Sequence, residues 1–226
     1  MTVHEYLSRY DALWARARSS YETGDLVIDR PPVDGDARWG LSLVVLPGAE
    51  LHARLVEATD ALADRMAGPQ TVVAPSDLHM TVTSLEPYRD EVDPVLVDAY
   101  WVAAGEALRG GMPQVSFRGL GGSAAGVFAQ GFADDRLLAV RRRMREVGAA
   151  LHGGEPPTPA FVRDTAHVSL TVHRAAAPES HVAAFVDSAR DVPLGDLRGA
   201  CLALVRYREV GGAMRFEPIA STDLSG

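Results

Sequence analysis

Apolar and polar positions alternate in the same way along two short segments of the chain. Residues 78–83 read Leu-His-Met-Thr-Val-Thr, and residues 166–171 read Ala-His-Val-Ser-Leu-Thr. Because successive side chains of an extended strand point to opposite faces, each segment is predicted to be a strand with one apolar and one polar face. We expect the apolar face to pack in a core and the polar face to present a histidine and, two residues later, a hydroxyl.

Helical spacing of apolar residues marks five other stretches. The first is an N-terminal amphipathic segment that contains Tyr6, Tyr10 and Trp14. Glycine, proline and capping residues bound the remaining predicted helices, which cover residues 49–66, 94–108, 134–151 and 178–190. The stretch 134–151 has the most regular apolar stripe, so we regard it as the clearest helix of the chain.

Further strands are predicted where β-branched and aromatic residues cluster between turn residues. Residues 39–47 form one candidate, and residues 199–207 and 214–219 form a closing pair. Residues 114–132 are interpreted as a hairpin, with its turn at the glycine-rich segment 119–122.

The order of these elements predicts an α+β fold. We expect two pseudo-symmetric lobes, each an antiparallel sheet with helices packed outside, around a central cleft to which each lobe contributes one histidine strand. Residues 1–40 are predicted to be an N-terminal helical extension and loop, and residues 41–226 a single bilobal domain.

The composition of the chain limits the kinds of molecule that it is expected to bind. The formal net charge of the 226 residues is -8, which disfavours a general grip on long nucleic acid, since nonspecific affinity for phosphates comes from clustered Lys and Arg. A small anionic ligand in a local pocket remains compatible with this charge. No stretch approaches the ~18 apolar residues that a membrane span needs, and the N-terminus lacks a signal-peptide pattern, so we expect a cytoplasmic protein without membrane contact.

Cysteine usage excludes two further kinds of site. Cys201 is the only cysteine, so the chain can form neither an intrachain disulfide nor a cysteine-based metal site. We do not expect a zinc site from His167 and His173, since no carboxylate or cysteine is expected to complete the ligand set. His173 lies further along the same polar face, and we interpret it as a residue at the edge of the cleft.

The two histidines have the chemistry for acid and base catalysis. Imidazoles titrate near neutral pH, so one can accept a proton while the other donates one. We therefore predict that His79 and His167 are catalytic. Thr81 and Ser169 follow them by two residues and are predicted to bind the non-bridging oxygens of a phosphate, where hydrogen bonds stabilise developing charge. This scheme needs neither a metal nor a cofactor.

These paired motifs, His79-Met80-Thr81-Val82 and His167-Val168-Ser169-Leu170, resemble those of the 2H phosphoesterase superfamily. The resemblance is to its LigT-like members, the group of 2′-5′ RNA ligases and RNA 2′,3′-cyclic phosphodiesterases, and it extends over residues 41–219. It implies metal-independent cleavage of cyclic or 2′-5′ phosphodiesters, with the histidines as acid and base and the hydroxyls on the phosphate. The implied substrate is a small nucleotide or an RNA end.

The approach to the second motif departs from that family. LigT-like enzymes often carry Arg-Phe-x-Pro directly before the second histidine, whereas residues 161–166 read Phe-Val-Arg-Asp-Thr-Ala. The departure suggests a divergent branch. Two alternatives to the cyclic phosphodiesterase therefore stay open: a non-catalytic module of the same fold that binds a phosphorylated ligand or nucleotide, and an enzyme for a specialised phosphorylated metabolite.

A basic run on the clearest helix has a simpler interpretation than RNA binding. Arg141, Arg142, Arg143 and Arg145 have acidic neighbours on either side, at Asp134, Asp135 and Glu146. We expect them to form a solvated helix face stabilised by ion pairs with those acidic neighbours.

Overall fold

The structure is a computed structural model that describes residues 2–68, 70–157 and 165–224. Five α-helices lie within these ranges, and each predicted helix is present with slightly different ends. They are α1 (Val3–Thr23), α2 (Ala49–Ala63), α3 (Pro94–Ala107), α4 (Asp135–Leu151) and α5 (Ser180–Ser188). Within the same ranges, no helix is both long and apolar enough to cross a membrane.

Ten strands complete the described part of the chain. They are β1 (Ser42–Leu46), β2 (Thr71–Val72), β3 (Met80–Ser84), β4 (Val115–Ser123), β5 (Gly126–Ala133), β6 (Ala166–Ser169), β7 (Thr171–Val172), β8 (Pro193–Asp196), β9 (Cys201–Val210) and β10 (Ala213–Asp223). Eight of them form one sheet in the order β10-β9-β1-β3-β6-β5-β4-β8, and all its pairings are antiparallel. Strands β2 and β7 pair separately.

The sheet consists of two four-stranded halves that meet at the histidine strands. Each half contains a strand, a helix and a histidine strand in sequence, β1-α2-β3 in one and β5-α4-β6 in the other. Strands β3 and β6 are the inner strands and pair with each other, with Met80 opposite Val168. The predicted α+β class is confirmed, while the pseudo-symmetry of the halves and a domain boundary at residue 40 stay predictions.

Alternation along β1 separates two apolar clusters. Leu43 and Val45 belong to the main core, whereas Val44 between them packs with Val205 and Tyr207 of β9. Because neighbouring residues of a strand point to opposite faces, the smaller cluster lies on the face away from the main core. Thr81 is the cross-strand partner of Val44, so its side chain shares the face of the smaller cluster.

The N-terminal helix α1 is an integral part of the main core. Thr2 and Glu5 form a capping box at its start, which satisfies free backbone N–H groups of the first turn. Its apolar stripe buries Tyr6, Tyr10, Trp14, Ala17 and Tyr21 against the second half of the sheet and α5. This stripe explains why the predicted extension folds onto the body of the protein.

The predicted turn at residues 119–122 is wrong, because these glycines lie within β4 and the hairpin turns at residues 124–125. Because these glycines have no side chain, other segments of the chain can approach the backbone of β4 closely. A Cβ on Gly119, which has φ +73°, would lie 1.7 Å from the carbonyl oxygen of Arg190, and one on Gly122 would lie 2.7 Å from the Trp14 ring. The glycines therefore let neighbouring segments pack directly on the strand.

Two further expectations are wrong because the side chains concerned are buried. The sequence pattern places Arg141 on a solvated face, but Arg141 is 4% exposed and points from α4 towards the sheet, where it binds backbone carbonyls. His173 is 1% exposed, and its Nε2 lies 3.2 Å from the Tyr21 hydroxyl, so it does not line a cleft edge. By contrast, Arg143 is exposed and pairs with Glu146, in agreement with the expected ion pairs.

Candidate active site

The two histidine motifs are brought together as direct neighbours in the sheet. Met80 and Val168 are cross-strand partners and both side chains are fully buried in the main core. Continuing this antiparallel register by one residue places Thr81 opposite His167 and His79 opposite Ser169. All four side chains then share the face away from the core, where Ser169 is exposed and the other three are half-buried.

In this register the four side chains form a square array in which histidines and hydroxyls alternate around the corners. The histidines occupy one diagonal and the hydroxyls occupy the other. Diagonal neighbours in an antiparallel pair lie about 7–8 Å apart, which leaves space for a tetrahedral group between the two imidazoles. A phosphate at the centre would meet an imidazole on each of two sides and a hydroxyl on each of the other two.

The ring of His79 is fixed through both of its nitrogens. Nδ1 lies 2.7 Å from the backbone oxygen of Asp77, and Nε2 lies 2.9 Å from the Tyr207 hydroxyl. A carbonyl oxygen only accepts, so Nδ1 donates to it, and Nε2 of the neutral ring is an acceptor for the Tyr207 hydroxyl. Phe216 also contacts this imidazole edge-on, with ring centroids 5.3 Å apart. A substrate can displace the side-chain hydroxyl of Tyr207 more readily than the backbone carbonyl of Asp77, so the nitrogen suited to proton transfer with a substrate is Nε2.

The segment before His79 is tied to strand β10. Residues 75–77 form a single turn of 3₁₀ helix, and Asp77 is buried at its end. Arg215 of β10 forms an ion pair with the Asp77 carboxylate and donates to Ser76 Oγ at 3.0 Å. Burial raises the pKa of Asp77, a shift that the Arg215 charge opposes. These contacts fix the carbonyl that orients His79.

His167 is held by its own strand and by an aromatic ring. Thr165 Oγ1 lies 3.2 Å from its Nδ1, two residues earlier in the chain. The Phe128 ring packs at a tilt on the imidazole, with centroids 5.1 Å apart. In the ladder between β5 and β6, Gln130 is the cross-strand partner of His167 and Phe128 is the partner of Ser169. Each histidine therefore has an oxygen partner at Nδ1 and an aromatic neighbour.

The departure before the second motif falls mostly on residues 161–164, which lie outside the described residues. Across the three described ranges, no group of three or more His, Cys, Asp or Glu side chains is placed to hold a metal ion.

Sequence reasoning missed the residues that orient the imidazoles. From the sequence, Tyr207 is only part of a predicted strand, whereas its hydroxyl binds His79. This contact requires β9 to pair with β1, which in turn pairs with β3, and the pattern of one strand does not reveal such a register. The residue two places before each histidine supplies the oxygen, but Asp77 does so through its backbone carbonyl, which every residue has, so only the hydroxyl of Thr165 leaves a signal in the sequence.

Comparisons with known proteins place the fold. No protein-family model matches the chain, and no curated protein matches its sequence. The crystal structure of TT0787 of Thermus thermophilus is similar with a TM-score of 0.63 at 24% identity, over 83% of this chain and 98% of that chain. Escherichia coli LigT complexed with 3′-AMP gives a TM-score of 0.53 at 18% identity, over 83% and 99%. A crystal structure described as a phosphoesterase gives 0.54 at 17% identity, over 83% and 99%. The chain therefore has the LigT-like fold that its motifs predicted.

Proposed function

We propose that this protein is a metal-independent phosphoesterase that cleaves a small cyclic or 2′-5′ nucleotide, or the phosphodiester at an RNA end. Opening of a 2′,3′-cyclic phosphate is the most concrete form of the proposal. The observation that carries it is the square array on β3 and β6, with His79 and His167 on one diagonal and Thr81 and Ser169 on the other. Hydrolysis of a phosphodiester needs an acid, a base and hydrogen-bond donors to the phosphate oxygens, and these four side chains have that chemistry.

The proposed reaction divides acid and base between the imidazoles. One histidine removes a proton from the attacking water as its oxygen bonds to phosphorus, and the other protonates the departing ribose oxygen as its bond to phosphorus breaks. The Asp77 carbonyl can only accept, so it fixes Nδ1 of His79 as the donor, whereas the Thr165 hydroxyl at Nδ1 of His167 can donate or accept. The neutral ring of His79 therefore offers Nε2 as a proton acceptor, and we assign it the role of base. His167 then acts as the acid.

The hydroxyls stabilise the charge that the reaction creates. Thr81 and Ser169 would donate to the non-bridging oxygens, which gain negative charge as phosphorus becomes five-coordinate. The fold supports this choice of ligand, since LigT has been crystallised with phosphate and with 3′-AMP. The formal charge of -8 agrees with a small substrate held by a few local contacts rather than by a long basic surface.

The test is turnover by the purified protein with EDTA present. The substrates are 2′,3′-cyclic mononucleotides, 2′-5′ dinucleotides and 3′,5′-cyclic nucleotides, and the variants are His79→Ala and His167→Ala. General acid–base catalysis contributes about 10²–10⁴-fold, so each variant should lose activity by that factor. His181→Ala is the matched control, because His181 is an exposed histidine on α5.

Each outcome of this test has a definite meaning. Turnover that survives either active-site substitution refutes the assignment of the histidine pair, and turnover abolished by EDTA refutes the metal-independent mechanism. If the protein binds nucleotide but turns over none of the substrates, the result favours the alternative of a non-catalytic binding module over the enzyme. Between about pH 5 and 8, two limbs in the rate profile would agree with a pair of imidazoles that titrate together.

A further inference from the structure

Two buried side chains from different helices bind the backbone directly before His167. The first is Arg141 of α4, whose Nη2 donates to the carbonyl oxygen of Thr165 at 2.9 Å. The same guanidinium reaches the other histidine strand, where Nε donates to Val82 O at 2.7 Å and Nη2 lies 3.4 Å from Thr81 O. One planar group therefore spans β3 and the start of β6.

The second side chain is Tyr10 of α1, which is fully buried. Its hydroxyl accepts from the backbone N–H of Gly131 at 3.1 Å and is within hydrogen-bonding distance of the carbonyl oxygens of Gly131 and Ala166. Gly131 and Ala166 are cross-strand partners in the ladder between β5 and β6. Because Ala166 O belongs to the peptide that joins Ala166 to His167, the Tyr10 hydroxyl bears directly on the backbone of His167.

The ladder between the histidine strands is short. In the described part of the chain, β3 and β6 share the single pair Met80 and Val168. A short ladder leaves the relative position of the two strands weakly specified, whereas the adjacent ladder between β5 and β6 contains four pairs. The guanidinium of Arg141 adds hydrogen bonds to both strands at this junction. It does so with a rigid fork of donors that a lysine cannot reproduce.

We propose that Arg141 and Tyr10 are positioning residues that set the place of His167 relative to His79 and Thr81. This inference rests on the proposed function, in which both imidazoles must meet one phosphate. A displacement of about 1 Å of a reacting group can cost about 10²-fold in rate. The N-terminal helix then supplies, through Tyr10, a contact that helps to place a catalytic residue.

The experiment compares conservative variants with controls from the same helices. Arg141→Lys keeps the charge and removes the fork, and Tyr10→Phe keeps the ring and removes the hydroxyl. The matched controls are Arg143→Lys, at an exposed site on α4, and Tyr21→Phe, which removes a buried hydroxyl of α1 that donates to Ser123 O at 3.0 Å. All variants are assayed well below their melting temperatures, with the substrate that the wild-type protein cleaves fastest.

We expect kcat to fall about 10²-fold for Arg141→Lys and about 10-fold for Tyr10→Phe, with KM within about twofold of the wild-type value. Both controls should keep kcat within about twofold. A purely structural role would lower the melting temperature of the two test variants and leave kcat unchanged in the folded protein. That result would overturn the proposal.

A second readout does not depend on turnover. The imidazole Hε1 resonance of His167, identified by its loss in His167→Gln, should shift in Arg141→Lys and Tyr10→Phe and stay in place in both controls. If the wild-type protein cleaves none of the substrates, the proposed function fails and the resonance still decides whether these residues position His167. An unmoved resonance in both test variants refutes the positioning role.

Discussion

Burial of His173 predicts that acid destabilises the protein through one identifiable side chain. His173 is 1% exposed, and its Nε2 contacts the Tyr21 hydroxyl. Burial lowers the pKa of its imidazole from 6.5 to about 4, although the nearby carboxylate of Glu179 acts in the opposite direction. Above pH 6.5 the imidazole is neutral in both the folded and the unfolded chain, and it adds no dependence of stability on pH.

The sign and size of the effect follow from this depressed pKa. As pH falls below 6.5, His173 binds a proton in the unfolded chain but stays neutral in the folded protein. The free energy of unfolding therefore decreases until the pH reaches about 4, where folded His173 is protonated as well. Each pKa unit corresponds to about 1.36 kcal/mol. At pH 5 the folded state has therefore lost about 2 kcal/mol relative to pH 8 through this residue.

The assay is urea unfolding of the wild-type protein and of His173→Gln at pH 8, 6.5 and 5. Glutamine offers an amide donor to the Tyr21 hydroxyl and does not titrate, so the variant should lose about 2 kcal/mol less than the wild-type protein between pH 8 and 5. The raised pKa of Asp77 is common to both proteins and cancels in the difference. His181→Gln, at an exposed site, should follow the wild-type curve. Equal losses for wild-type protein and His173→Gln would refute the reasoning.

For three other substitutions, the structure predicts whether stability or activity should rise or fall. Gly119→Ala should destabilise the protein by more than about 2 kcal/mol, because its Cβ would lie 1.7 Å from Arg190 O at a φ of +73°. Gly105→Ala, at an exposed site on α3 with nothing within 4 Å of the added Cβ, should stabilise it by about 0.5–1 kcal/mol in the same urea measurement. Destabilisation by Gly105→Ala, or stabilisation by Gly119→Ala, would contradict the respective prediction. Tyr207→Phe should raise kcat/KM by about 2- to 10-fold, because substrate no longer has to displace a hydrogen bond of about 0.5–1.5 kcal/mol from His79 Nε2. A tenfold fall would instead show that the Tyr207 hydroxyl takes part in turnover.

Local patterns in the sequence were sufficient to locate the candidate site. Alternation over residues 78–83 and 166–171 predicted two strands with a histidine and a hydroxyl on one face, and the structure places both motifs side by side in the sheet. The second strand is shorter than predicted, because β6 ends at Ser169 and Thr171 belongs to β7, which pairs with β2. Helix α4 begins at the expected cap, with Asp134 accepting a hydrogen bond from the Arg136 N–H. Such features depend on residues close in sequence, which is why a single chain reveals them.

Features set by tertiary packing could not be predicted in this way. Gly119, Gly121 and Gly122 have the composition of a turn, but they lie in β4, where they let Arg190 O and the Trp14 ring approach the strand closely. Arg141 has the composition of a surface residue, yet it is buried because three backbone carbonyls of the histidine strands lie within reach of its guanidinium. In both cases the contacting residues are distant in sequence, so no local pattern of residues can predict the contact.

The pairing of β9 between β1 and β10 has a consequence for how the chain is made. Strand β1 pairs with β9 over residues 42–46 and 201–205, so the half of the sheet that contains His79 is completed by the final strands of the sequence. During synthesis on the ribosome, the apolar edge of β1 stays without this partner until β9 has emerged. An unpaired apolar edge is prone to aggregation, so chains truncated before β9 should accumulate as insoluble material.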